Sequence, residues 1–145
     1  MYKSCSKCGK MHDINYVCNE GKTYRKEVTQ ASKFRNTYKW KQKNKQIRDR
    51  DKHLCRVCIA NLYYTTHVYN YNKLEVHHII PIEQDYDKRL DDDNLITLCS
   101  YHHRLAEDGV IPIKVLQMLI KENIDLKDIK REIEKQSPLP IKNKK

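Results

Sequence analysis

Residues 75–81 read EVHHIIP and residues 93–103 read DNLITLCSYHH, and these two stretches decide the fold. From Lys73 to Ile80, Leu74, Val76 and His78 alternate with Glu75 and His77, the period of a β-strand. Pro81 ends the run because it has no N–H to give to a ladder. A loop rich in Asp and Lys follows, Asp91-Asp92-Asp93 leads into Asn94, and Leu95 to Leu98 reads as a second strand. A helix is expected from Ser100 onward, carrying His102, His103, Arg104 and Glu107. The product is an α+β unit of two antiparallel strands and a helix. Consecutive strand side chains point to opposite faces, so the adjacent imidazoles of His77 and His78 can do different work.

Cys55-x-x-Cys58 and Cys99-x-x-His102 stand forty residues apart. Two turns with two-residue spacers are the usual grip on one tetrahedral zinc. Such a metal would add on the order of 10 kcal/mol to folding and would lock the ends of the intervening segment together. A second group lies near the N-terminus, where Cys5-x-x-Cys8 and Gly9 precede His12 and Cys18. The two cysteines of the turn would hold one edge of a metal. His12 or Cys18 could complete it, and all four together would make a closed Cys₃His set. In a secreted chain six cysteines would suggest disulfides. Interleaved with histidine as they are here, they point to metal in a reducing compartment, and a cytoplasmic protein is expected.

The bulk composition supports this. Of the 145 residues 39% are hydrophobic and 33% charged, so the core is small and a metal is a natural supplement to it. The net charge of +10 favours a polyanionic partner, and with the basic segment at 22–54 double-stranded DNA is the one expected. No apolar run approaches a bilayer span and the N-terminus has no secretory h-region, so no membrane partner is expected.

Much of the charge sits between Lys22 and Lys52, where twelve Lys and Arg face three acids. No Pro or Gly interrupts residues 23–54, so a long basic helix is expected. Ala31, Phe34 and Tyr38 would dock it on one side, with Trp40, Ile47 and Leu54 repeating every seven residues. Lys33, Arg35, Lys39, Lys43 and Arg50 would face solvent or phosphates, positioning a duplex without reading its sequence. Tyr63, Tyr64, Tyr69 and Tyr71 are expected to build the strand pair, and His53 and His67 to lie on the surface. Beyond Asp108-Gly109, Pro112 can open a helix with an apolar stripe of Ile113, Leu116, Leu119 and Ile120. A break at 123–125 and a short helix with Leu126, Ile129 and Ile133 inward would follow, then a basic tail. The organisation expected is a zinc-knuckle-like segment at 1–21, a basic helical segment at 22–54, the metal-bearing core at 55–108, and a helical extension with its tail at 109–145.

The residues EVHHIIP (75–81), DNLITLC (93–99) and HHRLAE (102–107), with FRNTYKW (34–40) and Cys55-x-x-Cys58 upstream, resemble the HNH endonucleases of the ββα-metal fold. The likeness covers about residues 5–108 and extends to the small phage HNH proteins, which often carry an extra N-terminal cysteine cluster and are encoded beside DNA-packaging genes. It implies a metal-dependent DNA endonuclease or nickase in the bacterial host cell, with phage terminase or packaging proteins as partners. It implies that His77 and His103 coordinate one catalytic Mg²⁺, Mn²⁺ or Ni²⁺ and that His78 is the general base. Asn94 would hold the loop through side-chain to backbone hydrogen bonds. Glu75 would orient a ligand or a basic side chain, and Glu107 would be a further ligand, its partner, or a solvated helix residue. Arg104 joins the residues expected to touch DNA. Structural zinc would sit on Cys55, Cys58, Cys99 and His102. The family usually ends in Cys-x-x-Cys-His, and His102 replaces the second cysteine here, which leaves open which of His102 and His103 faces which metal. The competing reading is a zinc-stabilised DNA-binding or packaging accessory protein without hydrolytic activity. A free imidazole titrates near pH 6.5, so activity is expected to fall on acidification through that range.

Overall fold

A computed structural model describes residues 1–18, 27–121 and 125–136. The expectations for residues 22–26, for the start of the break at 123–125 and for the tail at 137–145 lie outside these residues.

The chain opens on a hairpin of β1 (Tyr2–Ser4) and β2 (Met11–Asp13), with Lys3 opposite His12. The turn between them is closed by Cys5 N–H donating to Lys10 O at 2.9 Å and Gly9 N–H to Cys5 O at 2.8 Å. Gly9 sits at φ +74°, where the lack of a Cβ removes the steric penalty.

The single helix expected across the basic segment is instead two, α1 (Gln30–Arg35) and α2 (Tyr38–Arg50). The reason is capping chemistry. Thr29 Oγ1 accepts from Ser32 N–H, and Thr37 Oγ1 accepts from Trp40 N–H, each at 3.2 Å. A threonine in extended conformation that satisfies a free N–H starts a new helix. The Thr37 hydroxyl also donates to Phe34 O at 2.7 Å, so one oxygen joins the end of α1 to the start of α2. The break turns Phe34 and Trp40 into one cluster, their ring centroids 5.4 Å apart.

Past α2, Lys52 and His53 both adopt left-handed φ and turn the chain into Cys55 and the short helix α3 (Arg56–Ile59). The tyrosines expected in the strand pair are not in a strand. Tyr63 and Tyr64 occupy φ of +51° and +58°, and Tyr64, Tyr69 and Tyr71 are exposed. Tyr63 is buried, and desolvation pushes its phenol up to about 12.

The central sheet pairs β3 (Leu74–His78) antiparallel with β4 (Leu95–Cys99), His78 opposite Leu95 and His77 opposite Ile96. Val76 and Leu95 pack on Ala31, Phe34, Trp40 and Ile47 of α1 and α2. Ile96 and Leu98, on the other face, join the larger core with Val57, Ile111 and the C-terminal helices. β4 is therefore covered on both sides, which is why it reads as an almost unbroken apolar run. A lone two-stranded hairpin is marginal in water, and helices on each face supply the missing burial.

One buried carboxylate fastens this arrangement. Asp51, 2% exposed, accepts Thr97 N–H of β4 at 2.9 Å through Oδ2. Arg50 donates to it through Nε and Nη2 at 2.9 and 3.0 Å, and Arg56 Nε lies 4.0 Å away.

α4 (Ser100–Glu107) follows β4 directly and stops at Gly109, φ +72°. Pro112 stands just ahead of α5 (Ile113–Ile120) as its cap. The inward stripe of α5 is shifted from expectation: Val115, Leu116 and Leu119 are buried while Ile113 is half exposed. Each such burial contributes roughly 1.5–3 kcal/mol. α6 (Leu126–Gln136) buries Ile129 and Ile133 but leaves Leu126 exposed.

Candidate active site and metal centres

The turn at Cys55–Cys58 and the start of α4 bring four buried donors together, Cys55, Cys58, Cys99 and His102. His102 Nδ1 lies 3.4, 3.3 and 3.3 Å from the three sulfurs, and Cys58 Sγ is 3.9 Å from Cys99 Sγ. Tetrahedral Zn–S bonds of about 2.3 Å put sulfurs about 3.8 Å apart, so the donor set fits zinc. His102 Nε2 meets Tyr63 O at 3.3 Å. That contact gives the carbonyl the ring proton and leaves Nδ1 as the donor to metal. Without metal, burial works against the His102 cation, yet hydrogen bonds to Cys55 and Cys99 raise its pKa to about 9, so zinc binding would displace the Nδ1 proton. Hydrogen bonds with Cys55 and Cys58, and to a lesser degree with His102, hold the Cys99 thiol far below its ordinary range.

His103, the next residue, turns the other way. Its ring meets His77 edge-on, centroids 4.9 Å apart. Glu75 Oε2 approaches His103 Nε2 at 3.7 Å, and Glu107 Oε2 approaches Nδ1 at 3.6 Å. The register explains the grouping, since Glu75 and His77 share one face of β3 and Glu107 lies one turn along α4 from His103. Imidazoles and carboxylates are residue types that can ligate a divalent cation. The two histidines thus divide: the His102 ring faces the thiols and the His103 ring faces His77. Burial lowers His77 to about 4, and the neighbouring His103, His78 and Arg35 act in the same direction. It is thus neutral and able to ligate near pH 7.

His78 points to the opposite face and is 6% exposed. Its ring stacks on Trp40 at 4.7 Å and 24°, with Phe34 edge-on at 6.3 Å. Nε2 lies 3.1 Å from Arg89 O. A carbonyl can only accept, so Nε2 carries the proton and Nδ1 keeps its lone pair in the neutral ring. Burial pulls the His78 pKa below the ordinary value; Arg35 adds to this, while Arg89 O and Glu83 oppose it. Both histidines nonetheless line one cleft of about 950 Å³, together with Glu75, His103 and Glu107.

Asn94 is buried and spans the loop between the strands. Its Oδ1 accepts Ile80 N–H at 2.7 Å, and its Nδ2 donates to Ile80 O and Lys88 O, each at 3.1 Å. Lys88 is one residue from the carbonyl that holds His78.

The residues expected on a DNA face divide. Arg35 is exposed on the cleft wall, and Lys33, Lys39 and Arg104 are exposed. Lys43 and Arg50 are tied inward. Lys43 Nζ pairs with Asp92 Oδ1 at 2.9 Å, and Arg50 binds Asp51, Asp92 O and Leu95 O. Sequence reasoning missed Asp51, Thr37 and the contact of Trp40 with His78. The Thr-x-x spacing ahead of each helix was the available signal for the break, whereas nothing local marks Asp51.

At the N-terminus, Cys5, Cys8, His12 and Cys18 form the second converging group, every ligand atom within 4.8 Å of the others. Cys8 Sγ lies 2.8 Å from His12 Nε2. Backbone N–H groups of Cys8 and Lys7 lower the Cys5 thiol to about 7. This set can also hold zinc.

Among the described residues no helix is long and apolar enough to cross a membrane. No curated protein and no solved structure is significantly similar to the chain. Residues 55–109 match a family model described as HNH endonuclease. The match takes in the four buried zinc-type donors, both central strands, Asn94 and α4, and so this chain carries an HNH domain over residues 55–109.

Proposed function

We propose that the chain is a metal-dependent DNA endonuclease or nickase whose general base is His78. The observation that carries this is the division of labour within one cleft. His77 and His103 meet across it with Glu75 and Glu107 alongside, while His78 stands apart with one nitrogen occupied by Arg89 O and the other unprotonated. A divalent cation held by His77 and His103 would supply positive charge against the scissile phosphate and the departing oxygen. The rest is done by the chain. Nδ1 of His78 takes the proton of the attacking water, and Glu75 and Glu107 orient the His103 ring between them. Asn94 holds the loop that carries the Arg89 carbonyl. Arg35, exposed on the cleft wall, would face a phosphate oxygen, and Lys33, Lys39 and Arg104 would extend the contact along the duplex backbone. Cleavage would leave 5′-phosphate and 3′-hydroxyl ends.

The resemblance to small phage HNH proteins supports a role on phage DNA in the host cytoplasm, beside terminase or packaging proteins. The test is plasmid nicking with Mg²⁺, Mn²⁺ or Ni²⁺ added to metal-loaded protein, with His78→Ala in parallel. Loss of a general base lowers the rate roughly 10²–10⁴-fold. Equal nicking by both proteins would mean the activity is a contaminant, and the accessory DNA-binding reading would take its place.

A further inference from the structure

The family match begins at residue 55, yet the ring of His78 is enclosed by side chains that come before it. Trp40 stacks on it nearly parallel, and Phe34 closes its edge. Neither ring is placed by chance. The Thr37 hydroxyl accepts from Trp40 N–H and donates to Phe34 O, so a single group sets the two aromatic residues against each other. Trp40 is 7% and Phe34 5% exposed, and both are packed with Val76 and Leu95 of the sheet.

A histidine on a strand has two free torsions, and its χ2 well is broad. One hydrogen bond to Arg89 O fixes where Nε2 goes but still lets the ring swing about that contact. A flat indole at stacking distance removes this freedom, because only rotation within the plane parallel to the indole avoids a clash. Base and water must be aligned within a few tenths of an ångström for proton transfer to be efficient, and an ångström of misplacement lowers the rate by about 10²-fold.

We propose that Trp40, seated by Thr37, is a positioning residue for the general base, so that the catalytic site of this HNH domain is completed by residues 34–40 outside it. The proposal rests on the assignment of His78 as base. Trp40 lines the same cleft, but its ring contacts are with His78 and Phe34, not with His77 or His103, the residues that would hold the cation. Its loss should therefore lower kcat and leave KM for DNA and the affinity for divalent cation within about twofold.

The experiment compares Trp40→Phe, Trp40→Leu and His78→Ala in the full-length metal-loaded protein, each assayed at least 15 °C below its own Tm (a working margin of about 15 °C, since a change of ~1 kcal/mol moves Tm by several degrees). Trp40→Phe keeps a flat ring and should retain kcat within about threefold. Trp40→Leu keeps apolar volume without a plane and should lose roughly 10–100-fold in kcat at unchanged KM. Equal kcat in the Phe and Leu variants, or a loss that tracks Tm alone, overturns the positioning role. If His78→Ala is inactive while Trp40→Leu keeps full kcat, the positioning role fails and the base assignment stands. If His78→Ala nicks like the wild type, the base assignment fails and the positioning role goes with it.

Discussion

Asn94 and Ile80 bind each other in both directions: Ile80 N–H donates to Asn94 Oδ1 at 2.7 Å and Asn94 Nδ2 donates back to Ile80 O at 3.1 Å. The amide thus completes both backbone groups of Ile80, just past the end of β3, and its other N–H reaches Lys88 O. Asn94→Ala should lower stability by a few kcal/mol, about 1–3 for each buried group left unpaired, and should lower nicking by more than the unfolded fraction explains. Asn94→Asp retains the acceptor but turns a charge on two carbonyls and should be no better. Thermal melts beside nicking rates decide it, and a fully stable, fully active Asn94→Ala would remove the residue from the site.

The acid limb of activity should lie lower than a free imidazole suggests. His78 is the active species only when neutral, and burial lowers its pKa below the ordinary value near 6.5. The rate is therefore expected to hold further into acid than a free imidazole would allow, which revises the expectation drawn from the bare sequence. The folded protein responds with the same sign. His77 is lowered to about 4, so on acidification the unfolded chain binds its proton first. This contribution to stability is complete above about pH 6.5 and drains away as pH falls toward 4. Without added divalent cation, the Tm of His77→Gln should fall less steeply over that window than the wild-type Tm. Parallel curves would show that His77 is not held neutral by the fold.

Asp51 should be the most sensitive position outside the metal sites. Its carboxylate is buried among Arg50, Arg56 and Thr97 N–H, and removing one member of such a set strands the remaining charges. Asp51→Ala is expected to destabilise by about 3–5 kcal/mol. Urea titration measures it, and a change below about 1 kcal/mol would place Asp51 with ordinary surface ion pairs.

The two cysteine groups share no residue, so their metals should be separable. Elemental analysis is expected to find two zinc ions per chain, falling to one in Cys8→Ser with the main unfolding transition little changed. Cys58→Ser should abolish cooperative folding, in line with the roughly 10 kcal/mol such a site supplies. One zinc in the wild type would confine the metal to the HNH domain.

DNA affinity should separate the exposed cations from the tethered ones. Lys39→Ala should reduce the slope of log K against log salt by about 0.9, one phosphate contact. Arg50→Ala should act on Tm instead, because its guanidinium is spent on Asp51, Asp92 O and Leu95 O. An unchanged slope in Lys39→Ala moves the DNA face elsewhere.

Much of this was readable from residue order because the relevant rules are local. Alternation along a strand separates His77 from His78, and two-residue spacers gather Cys55, Cys58, Cys99 and His102. What escaped depends on distance or on competition. Asp51 meets Thr97 forty-six residues away, and no periodicity announces a lone acid that will be buried. Residues 63–71 have strand-like composition, but left-handed turns at Tyr63 and Tyr64, with Tyr63 buried in the core that also holds Cys55 and Cys58, override it. Asn36-Thr37 divides a segment that lacks Gly and Pro, because a hydroxyl cap is enough to begin a new helix. Arg50 looked free because two of its acceptors are backbone carbonyls, which leave no trace in sequence, and the third is the Asp51 carboxylate, whose burial is equally unmarked.

His102 and His103 are consecutive on α4, one turned into the thiols and the other toward His77. A single peptide link would therefore join the ion that builds the protein to the ion that works in it. Starved of zinc, such a chain would lose its aim at the same moment as its shape. Shortage in the cell would then yield an idle molecule, and never a half-formed one cutting at random.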